Sequence, residues 1–455
     1  MTDFSAIAQS SREYFATGCT RDVEFRINSL RKLEAYIKSH DEDIMAALKS
    51  DLGKAPFEAY ATEVGAVLDE LRFTLKRLKG WSRPRRVSSN LKSFPSTAWR
   101  YPEPCGVALI ISPWNYPFML SVVPIVAAVA AGNCAIVKPS AYAPASSSMI
   151  AQMCAEVFDA AHIAVIEGGR VENQALLEQR FDIILFTGST TVGRLVLQAA
   201  ARYLTPVILE LGGKTPCIID ETANLKLAAK RIVWGKLINA GQTCVAPDYL
   251  LAHSSIKEEL VSELAAAIKT LYGEQPLESP DYSRIINEKH FCRLLSLLEG
   301  ETVAYGGAAS LSSLKIEPTI LDKVSWDAPV MNEEIFGPLL PVLTYSAREE
   351  AVQLINSRPK PLAMYLFTSS KDSERFFLQS LSFGGGCIND TVVHLSVPCL
   401  PFGGVGESGM GSYHGKAGFD AFTHYRSVLN KSKRIDIPLR YPPYTPSALK
   451  LLKKL

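Results

Sequence analysis

The feature that most constrains the fold of this 455-residue chain is a long stretch without charge. No Asp, Glu, Lys or Arg occurs in residues 104–137, although such residues make up 21% of the chain. A stretch of this kind is either a membrane span or a core buried on all sides. Pro113 and Pro117 interrupt it and leave Phe118–Ala131 as its longest helical segment. A bilayer span needs about 20 helical residues, so we predict a buried core and no membrane anchor.

The same stretch predicts a strand–helix–strand unit. Gly106–Ile111 and Cys134–Val137 are short apolar runs on either side of the predicted helix, typical of parallel strands buried on both faces. The same pattern predicts further strands at Ala164–Ile166, Asp182–Phe186 and Pro206–Leu211, preceded by amphipathic helices at Phe25–Lys38 and Glu58–Lys79. We therefore predict an α/β fold with a doubly wound parallel sheet in about the first 210 residues and a second α/β region after it. A chain about three times the common domain length of roughly 150 residues predicts two or three domains.

Charge and cysteine content exclude several classes of protein. With 48 basic and 46 acidic residues the formal net charge is +2, so we predict no nucleic-acid partner. Nine cysteines without a C-x-x-C pair fit neither a disulfide framework nor a zinc ribbon, so we predict no metal site. The N-terminus shows no secretory signal pattern, and we predict a cytoplasmic protein with reduced thiols. The short basic tail Ser447–Leu455 is expected to be exposed or packed against a partner.

Two glycine-rich segments resemble nucleotide-binding motifs. Gly404–Gly409 matches G-x-G-x-x-G, but prolines precede it in place of a clean strand, and no acidic residue follows about twenty positions later. We predict a tight loop there. Gly188–Gly193 follows a predicted strand and opens a predicted helix, whose N-terminal amides would attract phosphate. From the pattern alone, a simple strand-to-helix turn explains this segment equally well.

Three residues are candidates for chemistry, and the residues alone leave each of them open. Glu210 interrupts an apolar run, so it either points to a solvated edge or is buried with a raised pKa that suits a general base. Cys244 is either a small core residue or a nucleophile. Asn115 is either a turn residue or a donor to an oxyanion.

Seven segments in order resemble the aldehyde dehydrogenase superfamily, and further segments resemble its shorter, class-3-like branch. The resemblance extends from about Arg31 to Tyr444. The seven segments are Pro113–Pro117, Val137–Ser140, Phe186–Thr190, Leu209–Lys214, Gly241–Cys244, Asn332–Pro338 and Pro401–Gly406. The branch segments are Ala246–Tyr249, Ser408–Gly411, Tyr413–Gly415 and Arg440–Tyr444.

This resemblance implies a division of the chain and an activity. It implies a dinucleotide-binding domain (1–83 and 103–210), a catalytic domain (211–412) and a small bridging or oligomerisation element (84–102 and 413–455). It further implies a homodimer that uses an NAD-type cofactor. The implied reaction oxidises medium- or long-chain aliphatic or aromatic aldehydes to carboxylic acids.

The resemblance also implies a role for each candidate residue. Cys244 would attack the aldehyde and pass through a thiohemiacetal and a thioester. Its backbone N–H and the Asn115 side chain would hold the oxyanion, and Glu210 would activate the hydrolytic water. Tyr116 and His414 are expected near the substrate. The residues expected at the cofactor are Trp114, Lys138, Gly188, Ser189, Thr190, Val192, Gly193, Glu334 and Phe336.

One departure from the family pattern bears on the cofactor. Many NAD-preferring relatives carry Glu right after the Lys-Pro-x segment, where this chain has Ala141. Without that carboxylate nothing is expected to repel a 2′-phosphate, and Lys138 would attract it, so we predict dual NAD and NADP use. Two alternatives stay open: a CoA-acylating aldehyde dehydrogenase, which typically lacks the glutamate base, and a catalytically silent nucleotide-binding homologue.

Overall fold

The computed structural model describes residues 3–454, apart from the side chain of Lys92. The predicted terminal segments 1–83 and 413–455 include Met1, Thr2 and Leu455, which lie outside the described residues.

The uncharged stretch forms a buried strand–helix–strand unit, as predicted. Strands Val107–Ile111 and Cys134–Lys138 pair in parallel, and every residue in both is buried. The helix between them, Met119–Ala131, is buried from Leu120 onward and ends at Gly132, whose φ of 93° closes the turn. Among residues 3–454, no helix is both long enough and apolar enough to cross a membrane. Burial on all sides explains why the sequence carries no charge here.

This unit is the centre of a six-stranded sheet that is parallel except at one edge. The strands in spatial order are Gly409–Met410, Val207–Glu210, Ile183–Thr187, Val107–Ile111, Cys134–Lys138 and Ile163–Val165. The helices of this half are Phe4–Ala16, Val23–Ser39, Asp41–Leu52, Pro56–Ala59, Gly65–Trp81, Pro144–Val157, Arg170–Leu177 and Thr190–Ala201. The helix predicted over Glu58–Lys79 is divided by a wide π-helical turn at Tyr60–Val64.

The second α/β region is built on a seven-stranded sheet. Its strands in spatial order are Thr302–Tyr305, Thr319–Asp322, Leu339–Tyr345, Tyr249–His253, Pro216–Ile219, Ala363–Phe367 and Gly385–Ile388. Its helices are Leu225–Leu237, Lys257–Tyr272, Glu288–Ser296, Pro329–Asn332, Arg348–Asn356 and Lys371–Ser380, and Ala309–Ser310 pairs with Lys315–Ile316 in a small hairpin. Only five residues separate Glu210, at the end of the first sheet, from Pro216, at the start of the second.

A separate antiparallel sheet joins distant parts of the chain. It consists of Arg85–Val87, Ser96–Pro104 and Thr423–Lys431. The predicted domain boundaries stay a prediction, but two elements bear on them: Gly409–Met410 pairs with the first sheet, and helix Gly415–Ala421 packs against helix Met119–Ala131. The remaining short helical turns are Cys19–Arg21, Leu91–Ser93, Ile238–Gly241, Ser254–Ile256, Pro276–Glu278, Val393–Ser396, Gly406–Ser408, Pro438–Arg440 and Pro446–Leu452.

Candidate active site

The turn at residues 188–193 leads from a buried strand directly into a helix. Ser189 is the N-cap of helix Thr190–Ala201, and its hydroxyl accepts from the backbone N–H of Val192 at 3.4 Å. A Cβ on Gly193 would collide with the Leu211 side chain, so a larger residue would push this turn away from the sheet. The helix N-terminus at the carboxyl end of a parallel strand is the usual place for a phosphate group in such folds.

The other glycine-rich segment, Gly404–Gly409, is a loop with a single short helical turn, not the start of a crossover helix. It lies beside the first turn of helix Thr190–Ala201. The Thr190 hydroxyl donates to the Glu407 carbonyl at 3.3 Å, and Arg194 pairs with the Glu407 carboxylate at 3.1 Å. This loop therefore supports the turn and has the structure that its prolines predicted.

Lys138 ends its strand with a buried side chain whose ammonium donates to the Pro139 carbonyl at 2.6 Å. Burial lowers the pKa of Lys138, and the charges of Glu172 and Glu167 oppose that change. Ala141 is exposed nearby in sequence. Glu167 and Glu172 thus lie within electrostatic range of Lys138, and the expectation drawn from Ala141 took no account of their charges.

Trp114 and Phe336, both predicted at the cofactor, are brought together by the fold. Their rings lie 5.3 Å apart, nearly perpendicular, and Trp114 also lies 5.1 Å from the ring of His290. Phe336 has a φ of 51°, a left-handed backbone that an aromatic residue rarely adopts. Strain of this kind is concentrated at functional sites.

Glu334, two residues before Phe336, packs its carboxyl group against the backbone of Gly212. A Cβ at Gly212 would overlap the Glu334 carboxyl oxygens, so this close approach requires glycine. Burial, followed by the charge of Asp248, raises the pKa of Glu334 to about 8. Its Oε1 is buried and has no hydrogen-bond partner among the described residues.

A clamp of charged residues, missed by the sequence reasoning, fixes the loop of Glu334 and Phe336. Asp248 accepts from the Ile335 N–H at 2.9 Å and pairs with Lys214. Lys214 also donates to the carbonyls of Val330 and Glu333 at 2.9 Å each. Lys214 and Asp248 belong to segments that resemble the family, so the sequence marks both residues. Their pairing could not be predicted, because the two segments are far apart in sequence.

Cys244 follows a tight left-handed turn. Asn239, Ala240 and Gly241 have φ values of 53°, 53° and 78°, which places the partly exposed thiol at the end of a buried loop. Burial raises the pKa of the Cys244 thiol, and the charges of Glu334 and then Glu210 raise it further. The fold therefore brings the thiol within electrostatic range of both predicted carboxyl groups.

Glu210, the last residue of its strand, is only 2% exposed. Neither carboxyl oxygen has a hydrogen-bond partner among the described residues, and burial raises the pKa of Glu210 well above its usual value. The solvated-edge alternative is therefore excluded. A buried carboxyl group without partners is costly, and such groups are typical of functional sites.

Asn115 lies in the loop between the first strand and the helix of the uncharged stretch, and it is buried. Its side-chain Nδ2 donates to the Gln242 carbonyl at 3.0 Å, which ties this loop to the loop of Cys244. An amide nitrogen carries two hydrogens, so one remains for another acceptor.

Of the two residues predicted at the substrate, Tyr116 contacts the loop of Cys244, and His414 packs against Tyr413. The buried Tyr116 hydroxyl shares a hydrogen bond of 2.6 Å with Thr243, the neighbour of Cys244. His414 packs 4.5 Å from Tyr413, and burial lowers the pKa of His414 to about 4, so its ring is neutral at pH 7. The Tyr413 hydroxyl, buried without a partner among the described residues, lies within electrostatic range of Glu210 and Cys244. Tyr413 belongs to a segment that resembles the family, but it was not predicted as a site residue.

A doubly wound sheet with a helix N-terminus at the end of a parallel strand, together with a thiol within electrostatic range of two buried carboxyl groups, is typical of a dinucleotide-dependent enzyme. The chain belongs to the aldehyde dehydrogenase family, whose family model matches residues 1–428. It is an NAD(P)-dependent aldehyde dehydrogenase, which oxidises aldehydes to carboxylic acids.

Relatives of known name agree with this assignment. The chain is 49% identical to the 4,4′-diaponeurosporen-aldehyde dehydrogenase of Staphylococcus aureus over 436 residues, which cover 95% of each chain. It is 45% identical to the dimeric NADP-preferring aldehyde dehydrogenase of Canis lupus familiaris, over 97% of this chain and 98% of that one. The structure of Staphylococcus aureus AldH in a substrate-bound state matches with a TM-score of 0.98 and 47% identity, over 100% of this chain and 99% of that one.

Proposed function

We propose that this enzyme oxidises medium- or long-chain aliphatic or aromatic aldehydes through a thioester on Cys244, which Glu210 then hydrolyses. The observation that carries the proposal is the buried Glu210 carboxyl group, which has no partner among the described residues and acts electrostatically on the thiol. The relative at 49% identity is named a 4,4′-diaponeurosporen-aldehyde dehydrogenase.

The first half of the reaction forms the thioester. The Cys244 thiol first gives its proton to water; the thiolate then adds to the aldehyde carbon, and the carbonyl π pair moves onto oxygen to form an oxyanion. The backbone N–H of Cys244 and the second Nδ2 hydrogen of Asn115 stabilise that charge. A nicotinamide held beside Trp114 and Phe336 would supply the acceptor for the hydride that leaves the tetrahedral carbon, and the oxyanion pair then re-forms the C=O bond of the thioester. Ionised Glu334 would raise the pKa of Cys244, and burial, which raises the pKa of Glu334 to about 8, opposes that ionisation.

The second half of the reaction releases the acid. Glu210, in its ionised form, takes a proton from a water molecule whose oxygen adds to the thioester carbon. The carbon–sulfur bond then breaks, which frees the carboxylic acid and restores Cys244. Burial raises the pKa of Glu210. Its carboxylate is therefore a stronger base towards the water molecule than a solvated glutamate would be.

The residues present fit a dinucleotide. The N-terminus of helix Thr190–Ala201 offers amides to the pyrophosphate, and the buried Oε1 of Glu334, which has no partner within residues 3–454, is available to accept from a ribose hydroxyl. Trp114 and Phe336 form an apolar wall suited to the nicotinamide ring. Lys138 would contact the adenosine ribose, and the exposed Ala141 leaves space for a 2′-phosphate, so we propose that both NAD and NADP are used.

Glu210 also favours hydrolysis over transfer of the acyl group to CoA. The test is turnover of hexanal and benzaldehyde with and without CoA, with the products identified by chromatography. We expect the free acid in both cases and a rate that CoA does not change. A rate that requires CoA, or an acyl-CoA product, would overturn the proposal.

We propose a homodimer as the active assembly. The strand Thr423–Lys431 is at the edge of its sheet, where its unpaired backbone groups can pair with a second copy of the chain. A relative is named as dimeric. Sedimentation at micromolar concentration should give a particle of twice the chain mass, and a monomer would refute this assembly. A cytoplasmic location stays a prediction from the cysteine pattern.

A further inference from the structure

A buried ion pair lies behind the loop that carries Asn115. The side chains of Lys54 and Glu63 have no exposed surface, and 2.5 Å separates Lys54 Nζ from Glu63 Oε1. Hydrophobic residues of similar volume often stabilise a fold as well as a buried ion pair does, because the pair must give up its hydration. The pair is therefore poorly explained by stability alone, and its other contacts indicate its purpose.

Lys54 directs its ammonium group at the loop of Asn115. Besides the carboxylate, Nζ donates to the backbone carbonyl of Asn115 at 3.2 Å. It also lies 3.9 Å from the centre of the Tyr116 ring, at a distance typical of a cation–π contact. Within residues 3–454, the Lys54 ammonium thus donates to Glu63 and to the Asn115 carbonyl and contacts the Tyr116 ring, and Glu58 also lies within its electrostatic range.

Glu63 holds the other end of the same loop. Its Oε2 accepts from the backbone N–H groups of Phe118 and Met119 at 2.9 and 3.2 Å. These amides open helix Met119–Ala131, whose N-cap residue provides no side-chain acceptor. A carboxylate from another element therefore caps this helix, where it also interacts favourably with the helix dipole.

The opposite side of the loop is tied to the segment before Cys244. Asn239 Nδ2 donates to the Asn115 carbonyl at 2.8 Å and to the Gln242 carbonyl at 3.1 Å. The Asn115 carbonyl thus accepts from both Lys54 and Asn239, while the Asn115 side chain donates to Gln242. The backbone position of Asn115 relative to Cys244 is set by these bonds.

We propose that Lys54 and Glu63 are positioning residues that fix the Asn115 amide where the oxyanion forms. In that step the Cys244 sulfur bonds to the carbonyl carbon, the π pair moves onto oxygen, and no group leaves. The donors act at full strength only if they are already in place, and small displacements of such groups reduce rates strongly. This inference rests on the proposed role of Asn115.

The test is a double-mutant cycle on the first turnover. Lys54→Met, Asn115→Ala and the double variant are mixed with saturating NAD⁺ and hexanal, and the burst of absorbance at 340 nm is recorded. Lys54→Met should lower the burst rate constant at least tenfold and leave KM for NAD⁺ within threefold. In the Asn115→Ala background the same change should cost less than twofold, because the residue that it positions is absent.

Lys257→Met is the matched control. Lys257 also pairs with a carboxylate, that of Asp322, at 2.5 Å, in the other half of the molecule. Its burst rate constant should stay within threefold of wild type. Where Lys54→Met lowers the melting temperature so far that it is unfolded at the assay temperature, Glu63→Gln replaces it in the cycle.

The outcomes separate the two proposals. Equal losses from Lys54→Met in both backgrounds, or a burst rate constant within threefold of wild type, would overturn the positioning role and leave Asn115 as the oxyanion donor. A burst rate constant within threefold of wild type in Asn115→Ala would overturn the role of Asn115 itself and the positioning role with it.

Discussion

Replacement of Glu210 by Gln tests the second half of the proposed mechanism. Gln keeps the size of the side chain and removes its ability to accept a proton. Neither oxygen of Glu210 has a hydrogen-bond partner among the described residues, so the change breaks no bond seen in the structure. Burial opposes the charged form, so we expect a melting temperature at least equal to that of wild type.

The expected loss is therefore catalytic. General-base catalysis contributes roughly 10²–10⁴-fold, or about 2.7–5.4 kcal/mol of the barrier. Glu210→Gln should still produce one equivalent of NADH per active site in a fast burst. The steady state that follows should be slower than in wild type by about 10²-fold or more, because the thioester persists.

The assay combines the burst at 340 nm with the mass of acid-quenched protein. The acyl adduct should accumulate in Glu210→Gln and be scarce in wild type. Below its raised pKa, Glu210 is protonated and cannot act as a base, so the steady-state rate of wild type should fall as the pH is lowered. This fall should be absent from the variant. Glu301→Gln is the matched control, since burial also raises the pKa of Glu301 and the structure places it outside the site.

Two results would refute the reasoning. One is a steady state of Glu210→Gln within tenfold of wild type, which would show that another group activates the water. The other is loss of the burst without an adduct, which would move Glu210 to the first half of the reaction.

Further predictions concern the cofactor and the acid stability. Wild type should show less than about a hundredfold preference for NAD over NADP in kcat/KM. Ala141→Glu should lower kcat/KM for NADP at least tenfold and kcat/KM for NAD less than threefold. The control is Ser148→Glu, at an exposed position in the next helix, and equal effects of the two variants would contradict the role of Ala141. His162 is buried among Tyr14 and Phe25, and burial lowers its pKa to about 4 from 6.5. The unfolded chain binds this proton at higher pH than the folded chain does, so the free energy of unfolding should fall from pH 6.5 towards 4. His162→Phe should remove up to about 3 kcal/mol of that fall, as measured by urea titrations at each pH. An unchanged dependence of the free energy of unfolding on pH would contradict this prediction.

The fold was largely predictable because parallel strands buried on both faces leave continuous apolar runs in the sequence. The runs around residues 107, 134 and 183 became strands within one or two residues of the predicted bounds. The sheet formed by Ser96–Pro104 and Thr423–Lys431 was not predicted as strands, because its residues are mostly half-buried or exposed and show no such run.

The candidate site was predictable only where the family segments include it. The residues alone left the chemistry of Cys244 and Glu210 open, and only the fold shows that Cys244 lies within electrostatic range of Glu210 and Glu334. Lys54 and Glu63 were missed because charged residues are rarely fully buried, and only their tertiary contacts with the loop of Asn115 and the helix after it show that these two are. The positive φ of Phe336 is likewise set by tertiary contacts that no local pattern records.

The central claim is that Cys244 is the nucleophile. Its most direct test is the first-turnover production of NADH by Cys244→Ala, with Cys387→Ala as the control at another partly buried free thiol. We predict no burst and no acyl adduct in Cys244→Ala, with the burst retained in Cys387→Ala. A burst of one equivalent in Cys244→Ala would contradict the account.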